Sequence, residues 1–188
     1  MEYIYIIPKA LSKEICDEII EKFDKQKNSE INESGFEHME YKIEQSDEKW
    51  KNIDNILFQN LNKYIQKYIN AYIFNTNITI NLLNNNVKDT GFKIFKFNKD
   101  EGRLDYHLES FFINEKGERF VNGNQIIKYT WYLNDVDEGG ETEFWNNYSI
   151  KPETGKLVMF PATWTYPNSE LIPKSNNKYI VNGFILIN

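Results

Sequence analysis

The chain has 188 residues, 40% of them hydrophobic and 15% aromatic, which is enough to bury a core in one domain. Its net charge of −6, a pI of about 5.1 and the lack of a long basic run argue against nucleic acid as the main partner. No apolar run approaches the roughly 18 residues that span a bilayer, the start MEYIYIIPKALSKE carries no basic leader or small-residue cleavage site, and the lone Cys16 excludes an internal disulfide, so a cytoplasmic protein without membrane partners is expected.

In chain order, EYIYII (2–7) reads as an opening strand ended by Pro8. Ser12 is a helix N-cap, and Ile15, Ile19, Ile20 and Phe23 mark one helical face to about residue 26. Residues 27–49 are polar and read as a long loop or flap carrying His38 as a solvated histidine. A second helix is expected from about Glu48 to Phe74, with Ile53, Leu57, Leu61, Tyr64, Ile65 and Tyr68 packed on a sheet. Short apolar runs then alternate with Gly, Asn, Asp or Pro breaks: 78–83, 92–97, the stretch from His107 to Ile113, 126–133, 141–145, 156–160 and 178–187. Two helices followed by many short strands predict a mainly β fold, a sandwich or jelly roll with N-terminal helical support. One domain is expected over 1–188, with helices to about residue 75 and the β core from about residue 78.

His107-Leu108-Glu109 carries the most chemistry. A histidine and a carboxylate two apart on a strand share a face, and they supply two thirds of a two-His-one-carboxylate iron site. After it come YLNDVDEGGETEFW (132–145), IKPETGKLVMFPA (150–162) and KSNNKYIVNGF (174–184). This series resembles the 2-oxoglutarate/Fe(II) oxygenases of the prolyl-4-hydroxylase type from about Phe92 to Ile187, and more loosely at the Leu11–Glu14 helix entry. GGETEF followed by a KP…GKLVxFP segment carries most of the resemblance.

The resemblance implies a double-stranded β-helix, with Fe(II) and 2-oxoglutarate as cofactors. His107 and Glu109 fall on the first His and the carboxylate, and Lys178 on the basic residue that anchors the far carboxylate of the cosubstrate. The second His ligand of the family lies ten residues before that basic residue, and Asn168 stands there. A neutral amide oxygen is a much poorer ligand for iron. Tyr166 falls where a further, non-ligand His often stands. Thr130 and Tyr132 fall on the face that looks into the cosubstrate site, and Lys128 shares that face. Two orientations stay open for Lys128: its ammonium reaches Glu109 or a bound anion, or a one-residue slip sends it to solvent.

Other residues read as structural. Glu141 and Glu143 share a strand face turned to solvent and are assigned no catalysis. Trp131, Trp145, Trp164 and Tyr166 are core residues first and a substrate cleft second. Gly139-Gly140 permits a tight strand connection, and Cys16 is packed rather than reactive. Two functions stay open. One is a working dioxygenase that hydroxylates a peptidyl residue or small molecule, with Asn168 or water completing the iron face. The other is a degenerate, metal-free relative that binds a ligand or partner. A cupin-type metal protein would need more histidines than His38 and His107 supply. The loops 27–49 and 114–124 carry no recognisable substrate code.

Overall fold

The computed structural model describes residues 3–26, 32–34, 38–44, 46–72, 87–109, 111–113, 119–121 and 124–187. Among these residues the elements run β1 (Tyr5–Ile7), α1 (Lys13–Asp24), β2 (Asn32–Ser34), β3 (His38–Lys42), α2 (Lys51–Tyr72), β4 (Val87–Asp89), β5 (Lys93–Phe97), β6 (Leu104–His107) and β7 (Phe111–Ile113). They continue with β8 (Arg119–Val121), β9 (Gln125–Tyr132), β10 (Thr142–Phe144), β11 (Tyr148–Ile150), β12 (Leu157–Pro161), β13 (Asn168–Glu170) and β14 (Lys178–Ile187). A large antiparallel sheet has the order β1-β12-β9-β14-β5-β3-β2, with β4 also on β14. A smaller one has the order β11-β10-β13-β6, and β7 and β8 form a hairpin pair. This is the jelly-roll, double-stranded β-helix architecture, mostly sheet with two helices.

The strand period of two sorts the large sheet's side chains onto opposite faces. Tyr129 and Trp131 of β9, Leu157 and Met159 of β12, Ile94 of β5 and Tyr179 and Val181 of β14 join one cluster with Ile19, Phe23, Ile53, Leu57 and Leu61 of the helices. The alternate residues Tyr132, Val158, Phe160, Ile180 and Phe97 turn inward and meet Phe144 and Ile150 of the smaller sheet. The helices lie on the outer face, and the site lies on the inner one. Ser12 caps α1, its side chain accepting from the Ile15 amide at 3.4 Å. Gly183 is where the outer face closes over β14: a Cβ there would sit 2.3 Å from the Tyr129 hydroxyl, which donates to the Gly91 carbonyl at 3.0 Å. No helix among the described residues is long and apolar enough to cross a membrane.

The expected flap is the largest correction among the elements. Residues 32–34 and 38–42 are strands, and β3 pairs with β5 in the register His38↔Phe97, Glu40↔Phe95. Met39, Tyr41 and Ile43 pack on the helix side, so the segment alternates as a strand should. Its net polarity hides that alternation, because every second residue is charged or polar. Residues 119–121 of the expected 114–124 loop form β8, while 114–118 and 122–123, the expected strand 78–83 and the last two positions of the second helix lie outside the described residues.

Candidate functional site

The site lies on the inner face where β6 and β13 of the small sheet approach β9 and β14 of the large one. Asn168 pairs directly with His107 across the β13–β6 ladder and with Phe144 across β13–β10. This register carries residue 168 to within hydrogen-bond reach of Glu109. β6 ends at His107, so Glu109 lies in the turn that follows and not on the strand, as its spacing suggests. The turn still brings its carboxylate against the imidazole, with His107 Nε2 3.0 Å from Glu109 Oε1.

Three side chains converge on that one oxygen, two of them as donors. Beside His107, the Asn168 amide Nδ2 donates at 2.9 Å and the Lys128 ammonium at 2.5 Å. Lys128 is only 4% exposed and shares the inner face with Thr130 and Tyr132, which removes the alternative of a slipped register with a solvated lysine. The Lys128 Nζ also stands 6.0 Å over the Phe160 ring and 5.8 Å over that of Phe184. Burial alone would raise the Glu109 pKa. The adjacent Lys128 charge and the His107 hydrogen bond outweigh it and hold the carboxyl well below the usual carboxylate range.

The orientation of Asn168 follows from its neighbours. Its Nδ2 faces two acceptors, Glu109 Oε1 at 2.9 Å and the Tyr166 carbonyl at 3.2 Å, while Oδ1 is buried with no hydrogen-bond partner. The His107 ring is half-buried, with both nitrogens facing acceptors. Nδ1 lies 2.9 Å from the Asp105 carbonyl and Nε2 faces Glu109, so both contacts are hydrogen bonds only when each nitrogen carries a proton.

Behind this cluster Lys178 is fully buried at the start of β14. Its ammonium pairs with Glu170 and donates to the Gly140 carbonyl at 2.6 Å. Glu170 Oε2 also accepts from Thr142 Oγ1 at 2.7 Å, which in turn accepts from the Tyr132 hydroxyl at 2.6 Å. Burial lowers the Lys178 pKa and Glu170 opposes that shift. Burial, reinforced by Glu170, holds the Tyr132 phenol well above its usual range. Gly139 and Gly140 both have positive φ, and a Cβ on Gly139 would sit 2.3 Å from the Ile172 carbonyl. The pair therefore makes a turn that only glycine fits, and it presents its carbonyl to Lys178.

Glu170 and His38 carry roles that the sequence reading missed. Glu170 follows Asn168 at i+2, so the alternation that points residue 168 inward points residue 170 inward as well. His38 is 6% exposed, not solvated, and its ring lies 5.1 Å from Phe95 and 5.4 Å from Phe97. With those residues, Lys128, Glu109 and Phe184 it lines a cavity of about 460 Å³. The aromatic residues divide. Trp131 is core, its indole N–H donating to Asn60 Oδ1 at 3.0 Å. Trp145 packs on Phe144 and Tyr166, and Trp164 is 69% exposed in a turn. The Glu143 carboxylate accepts from the Tyr106 hydroxyl at 2.9 Å on the outer face of the small sheet, and Cys16 is buried with its thiol pKa pushed up to about 12 by burial.

Residues 92–186 match the family model of the 2OG-Fe(II) oxygenase superfamily. The chain belongs to that superfamily. Similar solved structures include a viral collagen prolyl hydroxylase from Paramecium bursaria Chlorella virus-1 in complex with 2OG (16% identity, TM-score 0.69, 100% of this chain and 97% of that one). A prolyl-4-hydroxylase from Pseudomonas putida gives 13% identity and TM-score 0.69, over 100% and 94% of the chains. HygX from Streptomyces hygroscopicus, with nickel and 2-oxoglutarate bound, gives 9% identity and TM-score 0.66, over 99% and 83%. No curated protein matches the chain. At these identities the structures speak for the fold.

The superfamily implies Fe(II) and 2-oxoglutarate, and the residues present do not fit either. A metal at His107 and Glu109 needs carboxylate lone pairs and a donor atom from residue 168. Here Glu109 Oε1 accepts from the Lys128 ammonium and the Asn168 amide with His107 Nε2 at 3.0 Å, and Asn168 turns its N–H₂, not its oxygen, toward the site. Among the described residues no cluster of three His, Cys, Asp or Glu side chains could hold a metal ion. The far carboxylate of 2-oxoglutarate needs a cation, and the Lys178 charge is already matched by Glu170 in a fully buried pair. Opening either pair leaves an uncompensated buried charge.

Proposed function

We propose that this protein is a non-catalytic, ligand-binding member of the oxygenase superfamily, in which internal ion pairs stand where the family holds its metal and cosubstrate. The observation that carries this reading is the convergence of Lys128, Asn168 and His107 on Glu109 Oε1. Lys128 supplies, without a metal, the positive charge that a carboxylate in this position requires. Glu170 supplies the negative charge that Lys178 requires. Each pair is buried and additionally hydrogen-bonded, the condition under which mutual attraction offsets desolvation. The cavity above them is retained.

The second reading is a working dioxygenase that hydroxylates a peptidyl residue or small molecule while oxidising 2-oxoglutarate to succinate and carbon dioxide. The match to the superfamily over 92–186 and the meeting of His107, Glu109 and residue 168 at one point favour it. In that reading His107 and Glu109 hold iron, and Lys178 leaves Glu170 for the cosubstrate.

Anaerobic titration with Fe(II) and 2-oxoglutarate separates the two. The metal-free reading expects no stoichiometric Fe(II) uptake in equilibrium dialysis and no visible charge-transfer band at millimolar metal. Stoichiometric uptake with a band would overturn it in favour of turnover.

A further inference from the structure

The cavity has an apolar, ring-lined side built by alternate residues of adjacent strands. Phe95 and Phe97 are stacked at 6.5 Å with planes 16° apart, and His38 lies against both across the β3–β5 ladder. Phe184 faces in from β14. A volume of about 460 Å³ is in the range of small-molecule sites. Flat rings set 5 to 6.5 Å apart favour a ligand that presents a π face or edge.

The charge pattern restricts the ligand further. Among the described residues, every carboxylate that lines the cavity faces a lysine: Glu40 with Lys93 at 3.4 Å, Glu109 with Lys128, and Glu170 with Lys178. An anion would compete with a carboxylate already in place, and a cation with a lysine already in place. At the two buried pairs, Glu109–Lys128 and Glu170–Lys178, either exchange strands a charge, at a cost that a small ligand's contacts do not offset. Among the described lining residues, one buried polar atom is left without a partner. Gln125 is 8% exposed and lines the cavity, and its buried Oε1, which has no hydrogen-bond partner, accepts from a ligand once the side-chain amide turns into the cavity. A buried acceptor in that state is destabilising until a donor reaches it.

We infer that the cavity binds an uncharged, planar ring compound bearing an N–H or O–H donor, with the ring against Phe95, Phe97 and His38 and the donor on Gln125 Oε1. The inference rests on the metal-free reading of the site and names the class of ligand for it. It differs from both groups that the superfamily would place here, an ion and a dianion.

The test uses the full chain and three probes of similar size: benzamide, which is neutral with an N–H donor; benzoate, which is its anionic counterpart; and toluene, which has the ring alone. Calorimetry and saturation-transfer NMR should show benzamide bound and benzoate weaker by about tenfold or more, with Gln125→Leu weakening benzamide by about tenfold, the worth of one hydrogen bond, while toluene is unchanged. Equal binding of benzoate and benzamide overturns the inference, as does an unchanged benzamide affinity in Gln125→Leu. Should Gln125→Leu not fold, the benzamide-to-benzoate ratio of the natural chain decides. Failure of all three probes alongside a silent iron titration overturns the ligand class and leaves the metal-free reading standing. A positive iron titration overturns that reading first.

Discussion

The two faces of the central strands β9 and β14 obey one backbone rule and carry opposite chemistry. On the outer face Tyr129, Trp131, Tyr179 and Val181 meet the helices in an apolar cluster. One residue along, Lys128 and Lys178 point inward, 4% and 0% exposed, and each depends on a single carboxylate. Outer-face residues gain stability from area removed from water and from close packing, terms that many neighbours share. Those two inner-face lysines depend on one carboxylate each, so their contribution can change sign when that partner changes, unlike the apolar Tyr132 and Ile180 beside them.

The largest effects probe this contrast. Trp131→Ala should cost about 3–5 kcal/mol through lost packing and the released Asn60 carbonyl. Glu170→Ala should cost a similar amount, about 3–5 kcal/mol, because Lys178 is left charged in an apolar enclosure. Urea denaturation distinguishes the causes. Replacing both members of the pair, Glu170→Leu with Lys178→Met, should restore natural stability or exceed it by about 1–4 kcal/mol. No second outer-face substitution of that kind should rescue Trp131→Ala. A double variant as unstable as Glu170→Ala would show that the pair is held by packing and not by charge.

The next effect concerns metal. Asn168→His alone should change Fe(II) or Mn(II) affinity little, because Lys128 still neutralises Glu109. Combined with Lys128→Met it should raise affinity by at least about 10–100-fold, the span over which ligand surroundings act. A large gain from Asn168→His alone, read by equilibrium dialysis, would show that Lys128 leaves the carboxylate readily.

The acid limb of stability sharpens the same point. The folded Glu109 carboxyl titrates below its ordinary value of 4.5. The unfolded chain therefore takes up this proton first as pH falls, and the stability that Glu109 contributes is present above about pH 4.5 and lost on acidification through the folded pKa. Glu109→Gln should be less stable near neutrality and lose less between about pH 5 and pH 3. In Lys128→Met, burial is no longer opposed by the nearby ammonium, and the acid limb should flatten or invert. Thermal melts across that range read both.

The outer face was legible because its signal is local. The helical spacing of Ile53, Leu57, Leu61 and Tyr64 and the alternation in KYIVNGFILI depend on nothing distant, and the strand over 178–187 falls where the pattern puts it. At the inner face the convergence of residues 107, 109 and 168 was legible only through the resemblance, which supplies a register that spacing cannot. Glu170 was not legible, since an acid two residues past a polar position reads as surface until Lys178 is known to lie opposite it. His38 was hidden for a related reason. Its strand is polar on every second residue because His38 and Glu40 line the cavity and Lys42 faces solvent, and hydropathy assigns such a segment to solvent.

The smallest expected effect marks the boundary of the comparison. Trp164 lies in the turn between β12 and β13, 69% exposed and outside both apolar clusters. Sequence composition groups it with Trp131 and Trp145, but its position makes it neither outer-face core nor cavity wall. Trp164→Ser should therefore change stability by no more than about 0.5 kcal/mol in urea, and it should leave benzamide binding unchanged. A stability loss comparable to that of Trp131→Ala would mean that this indole is buried in solution and that a third packed region exists beyond the two faces. Weakened benzamide binding with intact stability would instead extend the ligand site out of the cavity and onto the turn that leads to Asn168.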